Sequence, residues 1–166
     1  MAALPPDLEI RPVTVGDLDR LIEIYLDTAV HHATIDPDVF QVPPRDAIEG
    51  RLRRRIEGRG STGEYVAAMV GDEMVGSASV GLGDPLDPGN MMRSVPNAEF
   101  GVSVVEAWRG RGIGRALIEH LERWAAAHGV ERMILHVSSA NTGAIRLYES
   151  MGYVDVDREM RKSLIG

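Results

Sequence analysis

Arginines and glycines alternate in one short stretch of the chain, Arg109-Gly110-Arg111-Gly112-Ile113-Gly114-Arg115. Glycines let backbone N–H groups approach an anion closely, and the N–H groups in the first turn of a helix have no intrahelical partners. A strand-like run, residues 98–104, precedes the stretch, and a helical pattern, residues 113–128, follows it. A glycine-rich turn between a strand and a helix is typical of a phosphate-binding site, where the helix dipole and the arginines add positive charge.

The spacing of the glycines excludes two common nucleotide-binding motifs. The dinucleotide fingerprint G-x-G-x-x-G requires glycine where the chain has Arg115. The P-loop G-x-x-x-x-G-K-[ST] is excluded because Arg115 stands five residues after Gly110 and no Lys-Ser or Lys-Thr follows. The remaining pattern is R-x-x-G-x-G, formed by Arg109, Gly112 and Gly114. A plain strand-to-helix turn with solvated arginines is the alternative.

A second motif, N-x-x-A-x-x-L-Y-x-x-x-G-Y, extends downstream from Asn141 to Tyr153. It begins 27 residues after Gly114, with one predicted helix and one predicted strand between the two motifs. In this order, the two motifs resemble those of the GNAT superfamily of acetyl-CoA-dependent N-acetyltransferases. The resemblance is specific over residues 98–153, whereas over residues 8–80 only the order of the elements fits.

The resemblance implies an α/β fold, the GNAT fold, as a single domain over residues 1–166. Its mixed, mostly antiparallel sheet would have six to seven strands, flanked by about four helices. The sheet is expected to splay in the middle, between Val104 and the strand that contains Leu135, so that it admits the coenzyme. Acetyl-CoA would be the acetyl donor substrate, and no metal is expected.

The family's coenzyme-binding roles fall on matching positions of this sequence. Backbone groups of Val102 and Val104 would pair with the pantetheine arm as if it were an added strand. Donors in residues 109–115 would hold the pyrophosphate, Asn141 would bond the pantetheine or orient the acetyl end, and Ala144 would leave room for the coenzyme. The complete expected set is Val102, Ser103, Val104, Arg109, Gly110, Arg111, Gly112, Ile113, Gly114, Arg115, Asn141, Ala144 and Tyr148.

The implied reaction is direct attack of a neutral amine on the thioester carbonyl. Backbone N–H groups near Val104 would stabilise the oxyanion, and Tyr148 would protonate the leaving thiolate. A tyrosine packed in the core, with its hydroxyl satisfied, is the alternative for Tyr148.

Two side chains could accept the proton of the amine, and the sequence ranks them about equally. His136 stands twelve residues before Tyr148 on the strand expected to face the cleft, and an unperturbed pKa near 6.5 suits a base. Glu99 begins the strand before the glycine-rich turn, at the acceptor end. A water chain is the third candidate, and both side chains could instead be structural, or Glu99 could only bind a cationic acceptor.

The acceptor is predicted to be a small-molecule amine, because no peptide groove can be read from the sequence. A protein N-terminal or lysine amine is an alternative, and so is a catalytically silent module that only senses acyl-CoA. Residues 81–97 form a long segment rich in Gly, Pro, Asp and Asn. Such loops are usually functional or disordered, which here predicts a flap near the acceptor, a homodimer contact or a loose insertion.

Hydrophobic periodicity predicts the elements that position these residues. His31 and His32 fall after the first predicted helix, where a polar loop is favoured over a metal site. The basic residues of the second helix, Arg51, Arg53, Arg54 and Arg55, are predicted to form a solvated face, and contact with the ligand's phosphates is the alternative. The predicted strands are 8–13, 65–70, 74–80, 98–104, 131–137, 153–156 and 159–164, and the predicted helices are 15–29, 45–57, 113–128 and 141–150.

Composition narrows the class of protein. The chain has 166 residues and no cysteine, which suits one domain and excludes disulfides, thiol catalysis and cysteine metal sites. A formal net charge of −7 argues against nucleic-acid binding and mildly favours cationic partners. No apolar run is long enough to span a membrane, and no signal peptide opens the sequence. A cytoplasmic location is therefore expected.

Overall fold

The computed structural model describes residues 3–58, 62–86, 89–162 and 164. Contacts divide the chain into two compact units, Met1–His136 and Val137–Gly166, and each is described by itself. The first unit holds the strands found in the described residues together with three helices, and the second unit holds the fourth helix.

A mixed five-stranded sheet forms the centre of the first unit. The strands follow the order of the chain, so that each one pairs with the next. The first three pairings are antiparallel, and only the last one is parallel. The sheet is therefore mixed and mostly antiparallel, as the sequence predicts, with five strands among the described residues where six to seven were expected. The strands are β1 Leu8–Pro12, β2 Gly63–Val70, β3 Glu73–Leu82, β4 Asn97–Val104 and β5 Arg132–Ile134.

The described residues contain four α-helices, the number expected from the sequence. They are α1 Leu18–Ile35, α2 Arg45–Glu57, α3 Ile113–Ala127 and α4 Thr142–Ser150. Within the described ranges, no helix combines the length and the apolar character needed to cross a bilayer.

Helices cover both faces of the sheet. Apolar side chains of α1 and α2 form one core with Tyr65 and Ala67 of β2. Leu117 of α3 approaches the opposite face, because its Cδ1 lies 3.4 Å from the position that a Cβ on Gly76 would occupy. Gly76 pairs with Ala68, the neighbour of Ala67 in β2. Because successive residues of a strand face opposite sides, Ala68 and its partner Gly76 face away from the core that contains Ala67. Helices α1 and α3 both contact β3 and β4, and the candidate site extends from the end of β4.

Three sequence-based boundaries were wrong. Helix α1 extends to Ile35 instead of ending at Ala29, so His31 and His32 lie on the helix and not in a loop. Strand β5 has three residues instead of the predicted 131–137. The two strands predicted at 153–156 and 159–164 do not form in the described part of these residues. Val154 and Val156 are 77% and 89% exposed. Position 163 of the second predicted strand lies outside the described residues. A strand requires a neighbouring strand for its backbone groups, and the sheet pairings of the described residues do not include this segment.

Candidate active site

A glycine loop, residues 109–114, connects β4 to α3 as the sequence predicts. The chain leaves β4 through a single 3-10 turn, Glu106–Trp108. Gly110 and Gly112 then adopt φ angles of +74° and +80°, a left-handed conformation that only glycine adopts without strain. Gly112 is the N-cap of α3, and no side-chain oxygen caps the helix. Its first turn therefore presents backbone N–H groups and the positive end of the helix dipole, the arrangement that binds phosphate.

The three arginines of this region have different surroundings. The Arg109 side chain folds back, with Nε donating to the Val104 carbonyl at 2.9 Å and Nη2 donating to Asp27 Oδ2 of α1 at 2.8 Å. The Arg111 guanidinium lies 4.6 Å from the ring centroid of Trp108, a cation–π distance. Arg115 Nη1 lies 3.9 Å from the carboxylate of Glu119. The guanidinium of Arg109, expected at the pyrophosphate, is thus engaged inside the fold.

The sheet opens beside β4, near the expected place. Parallel pairing between β4 and β5 ends at Glu99 with Ile134, whereas β4 continues to Val104. Beyond Glu99, the ladder pairs of β4 in the described structure are all with β3. The opening therefore begins at Ile134, one residue before Leu135.

Backbone groups of β4 point into this opening. The N–H of Val105 donates to Val75 O of β3 at 3.0 Å, and the direction of backbone groups alternates along a strand. Val104 and Val102 therefore direct their N–H and C=O groups away from β3, whereas Ser103 directs its backbone groups toward β3. This is the orientation expected for Val102 and Val104, although the Val104 carbonyl already accepts from Arg109.

The two candidate bases lie together where the strands part. His136 Nε2 is 3.9 Å from Glu99 Oε1, and the side chains are 82% and 65% exposed. Glu99 belongs to the last pair of the β4–β5 ladder, and His136 follows two residues after its partner Ile134. The sequence treats these two side chains as alternatives, whereas the structure makes them neighbours in open contact with solvent.

In the second unit, α4 arranges the other expected residues. Asn141 is its N-cap, and Oδ1 accepts a hydrogen bond from the Ala144 N–H at 3.2 Å. Tyr148 follows one helical turn after Ala144, so the two lie on one side of the helix, and its ring meets that of Tyr153 edge-on at 6.0 Å. Burial raises the pKa of the Tyr148 phenol, which therefore stays protonated at neutral pH and can donate a proton.

An open cleft of about 570 Å³ lies in the first unit, between α1, the start of β3 and the 3-10 turn. Asp27 of α1 lines it beside Glu106, and His31 follows one turn later on the helix. Burial, and next the positive charge of Arg109, lower the pKa of His31. Sequence reasoning missed Asp27, because it stands 82 residues from Arg109 and no local motif links them.

The paired histidines do not form a metal site. His32 Nδ1 lies 2.8 Å from the carbonyl oxygen of Thr28 on its own helix, and its ring lies 5.0 Å from that of Phe40. Over the described ranges, no group of three His, Asp or Glu side chains is arranged to hold a metal ion.

The Acetyltransferase (GNAT) family model matches residues 19–153 of the sequence. The chain therefore belongs to the GNAT family, whose members are acyltransferases that use acetyl-CoA. It is 33% identical over 108 residues to an uncharacterized N-acetyltransferase, YdgE, of Bacillus subtilis (strain 168). That match covers 64% of this chain and 66% of YdgE, just under two thirds of the relative.

Solved structures share the fold. A tetramutant of the BH1408 protein from Bacillus halodurans superposes with a TM-score of 0.83 at 24% identity, covering 94% of this chain and 99% of that one. The aminoglycoside N-acetyltransferase AAC(6')-Iy, in complex with CoA, has a TM-score of 0.69 at 20% identity, covering 94% of this chain and 93% of that one. At these identities the likeness establishes the fold alone.

Proposed function

We propose that this chain is an acetyl-CoA-dependent N-acetyltransferase that moves an acetyl group to the primary amine of a small molecule by direct attack. The observation that carries the proposal is the glycine loop at the start of α3, next to Val102 and Val104 of β4, whose backbone groups point away from β3 beyond the end of the ladder with β5. It combines an anion site with backbone groups of Val102 and Val104 that point into the opening. Acetyl-CoA offers a pyrophosphate for the first and an amide-bearing pantetheine arm for the second.

The donor substrate would lie along the opening beside β4. The N–H groups at the start of α3 would bind the pyrophosphate, with Arg111 and Arg115 adding charge nearby. The outward backbone groups of Val102 and the N–H of Val104 would pair with the pantetheine amides. Arg109 would act from within the fold, by holding the end of β4, because its guanidinium already serves Val104 and Asp27.

His136 and Glu99 would prepare the acceptor. Most alkyl amines are protonated at neutral pH, so a carboxylate at the mouth of the opening attracts them, and a neutral imidazole beside it can take the proton. The amine nitrogen then forms a bond to the acetyl carbon and the carbon–sulfur bond breaks, and the second proton that the nitrogen loses replaces, through solvent, the one that Tyr148 gives to sulfur. Tyr148, protonated at neutral pH, is the proposed donor of a proton to the departing sulfur.

The acceptor is proposed to be a small cationic amine. The exposed Glu99 and His136 pair and the overall charge of −7 favour a cation. A protein amine is the first alternative, and a silent acyl-CoA sensor is the second.

A thiol-release assay with acetyl-CoA and a panel of amines tests the proposal, together with calorimetry of acetyl-CoA binding. The panel contains polyamines, amino acids, aminoglycosides and lysine peptides. Turnover on a small amine supports the proposal, and turnover on peptides alone favours the protein acceptor. Binding without turnover on any amine favours the sensor, and no binding of acetyl-CoA contradicts the proposal.

A further inference from the structure

We infer that Asp27 of α1 is a positioning residue for the glycine loop, acting through Arg109, so that the first helix controls the affinity for acetyl-CoA. This inference rests on the proposed function, because it assigns the loop to the coenzyme. The two side chains meet at 2.8 Å across 82 residues of sequence, and each is 32% exposed.

The contact holds the loop at its first residue. Arg109 immediately precedes Gly110, and its side chain is held at two points, by Asp27 and by the carbonyl of Val104. Between strand and loop, the backbone makes the bonds Trp108 N–H to Val105 O and Arg109 N–H to Glu106 O. The Arg109 side chain therefore links α1, the end of β4 and the start of the loop.

The loop is open to its surroundings at Gly110, whereas at Gly112 Leu4 lies close by, with Cδ2 3.1 Å from the position of a Cβ. A Cβ on Gly110 would meet no atom within 4 Å, and α3 has no side-chain cap. A glycine segment loses much conformational entropy when it is ordered around a ligand. Ordering the loop in advance, through Arg109, removes part of that cost from binding.

Asp27 suits this role better than a fully exposed acid would. The pair is two-thirds covered, so its attraction is screened less than that of a surface ion pair. Without the carboxylate, Arg109 would lose the partner that directs its guanidinium toward α1. Water could then compete with the Val104 carbonyl for the hydrogen bond from Nε of Arg109.

The test measures the affinity of Asp27→Asn for acetyl-CoA by calorimetry, the KM for acetyl-CoA and kcat at saturating amine, and Tm. We expect Kd and KM to rise by at least about 5-fold, since a charge-assisted hydrogen bond is lost from the loop's support. We expect kcat to fall less than KM rises. Asp27→Glu should restore part of the affinity, because it keeps the charge. Asp19→Asn is the matched control: it removes the same charge from the same helix, where Asp19 is 93% exposed and pairs with Arg45.

The double variant Asp27→Asn/Arg109→Lys should bind acetyl-CoA with a Kd no higher than that of the weaker-binding single variant. Both substitutions break the same contact between Asp27 and Arg109, so their effects should not add. An unchanged Kd in folded Asp27→Asn, or an equal loss in Asp19→Asn, would overturn the inference. A lower Tm with unchanged Kd would also overturn it, since that is the result of a purely structural contact. If Asp27→Asn fails to fold, Arg109→Lys decides by the same criterion. A wild-type chain that does not bind acetyl-CoA would instead reject the proposed function, and the inference with it.

Discussion

His136 Nε2 and Glu99 Oε1 lie 3.9 Å apart at the point where β4 and β5 separate. Neither strand alone could produce this pair, because it depends on the parallel register that places Glu99 opposite Ile134. The pair stands at the mouth of the opening into which Val102 and Val104 direct their backbone groups. Its position suits a proton acceptor for an incoming amine better than it suits a structural ion pair, since both side chains are largely exposed.

His136→Gln should lower kcat/KM for the amine and remove the acidic limb of its pH profile, because it removes the imidazole that is proposed to accept the proton. Glu99→Gln should keep that limb and mainly raise the KM for cationic amines, because it removes charge and leaves the imidazole. Full pH profiles of kcat/KM for both variants provide the measurement. His128→Gln is the control, since that exposed imidazole stacks on Trp124 of α3 instead. If the limb survives in His136→Gln and disappears in Glu99→Gln, the base is Glu99; if both variants keep it, the base is a water chain.

Gly112→Asp should weaken acetyl-CoA binding by at least ~1–3 kcal/mol, because it places a negative charge where the pyrophosphate is proposed to bind. Aspartate normally favours a helix N-cap in an extended conformation, but φ is +80° here. Gly112→Ala is the control for backbone strain and for the contact with Leu4, whose Cδ2 would lie 3.1 Å from the new Cβ. Calorimetry and thermal unfolding of both variants separate charge from strain. Equal affinity of folded Gly112→Asp and the wild type would show that the loop is not the phosphate site.

Tyr148→Phe should leave the affinity for acetyl-CoA nearly unchanged and reduce kcat by roughly 10²–10⁴-fold, the usual contribution of a positioned general acid. The substitution keeps the ring's packing and removes only the hydroxyl, which burial keeps protonated by raising its pKa. Tyr153→Phe is the matched control, because its ring meets that of Tyr148 at 6.0 Å in the same unit. Single-turnover rates provide the measurement. Wild-type kcat in Tyr148→Phe, where chemistry limits turnover, would reduce Tyr148 to a packing residue.

Asp17→Asn should destabilise the fold by about 1 kcal/mol at neutral pH. The Arg11 guanidinium donates to both oxygens of Asp17 at 2.8 and 3.0 Å and is the main cause that lowers the pKa of this carboxyl from 3.8 to about 2. The folded state therefore binds the proton less readily than the unfolded state does. The contribution of the Asp17 carboxylate to the free energy of unfolding is therefore complete above pH 3.8 and is lost as the pH falls through about 2.

The measurement for Asp17 is the free energy of unfolding in urea for wild type and variant at several pH values. The difference between them should shrink as pH falls from 4 toward 2. Asp19→Asn again serves as the control, because Asp19 is 93% exposed. A difference that does not change with pH would contradict this prediction, because the bonds from Arg11 and from Thr14 both favour the ionised form of Asp17.

Local sequence determined the elements that have strong stop and start signals. Helix α2 occupies the predicted residues, Arg45–Glu57, after two prolines that favour a helix start. Gly129 ends α3 with φ of +74°, as its position predicts. The place of the glycine loop could be predicted from residue types alone, because the positive φ angles at Gly110 and Gly112 require glycine.

Tertiary structure decided where strands pair and which side chains meet. The alternating residues 153–156 read as a strand, yet a strand exists only where another backbone satisfies its groups. The ends of β5 and the meeting of Glu99 with His136 likewise depend on register between distant segments, which periodicity does not encode. The contact between Asp27 and Arg109 could not be predicted from the sequence for the same reason. The sequence determines the charge of each side chain, but the packing of α1 against the end of β4 determines that the two side chains meet.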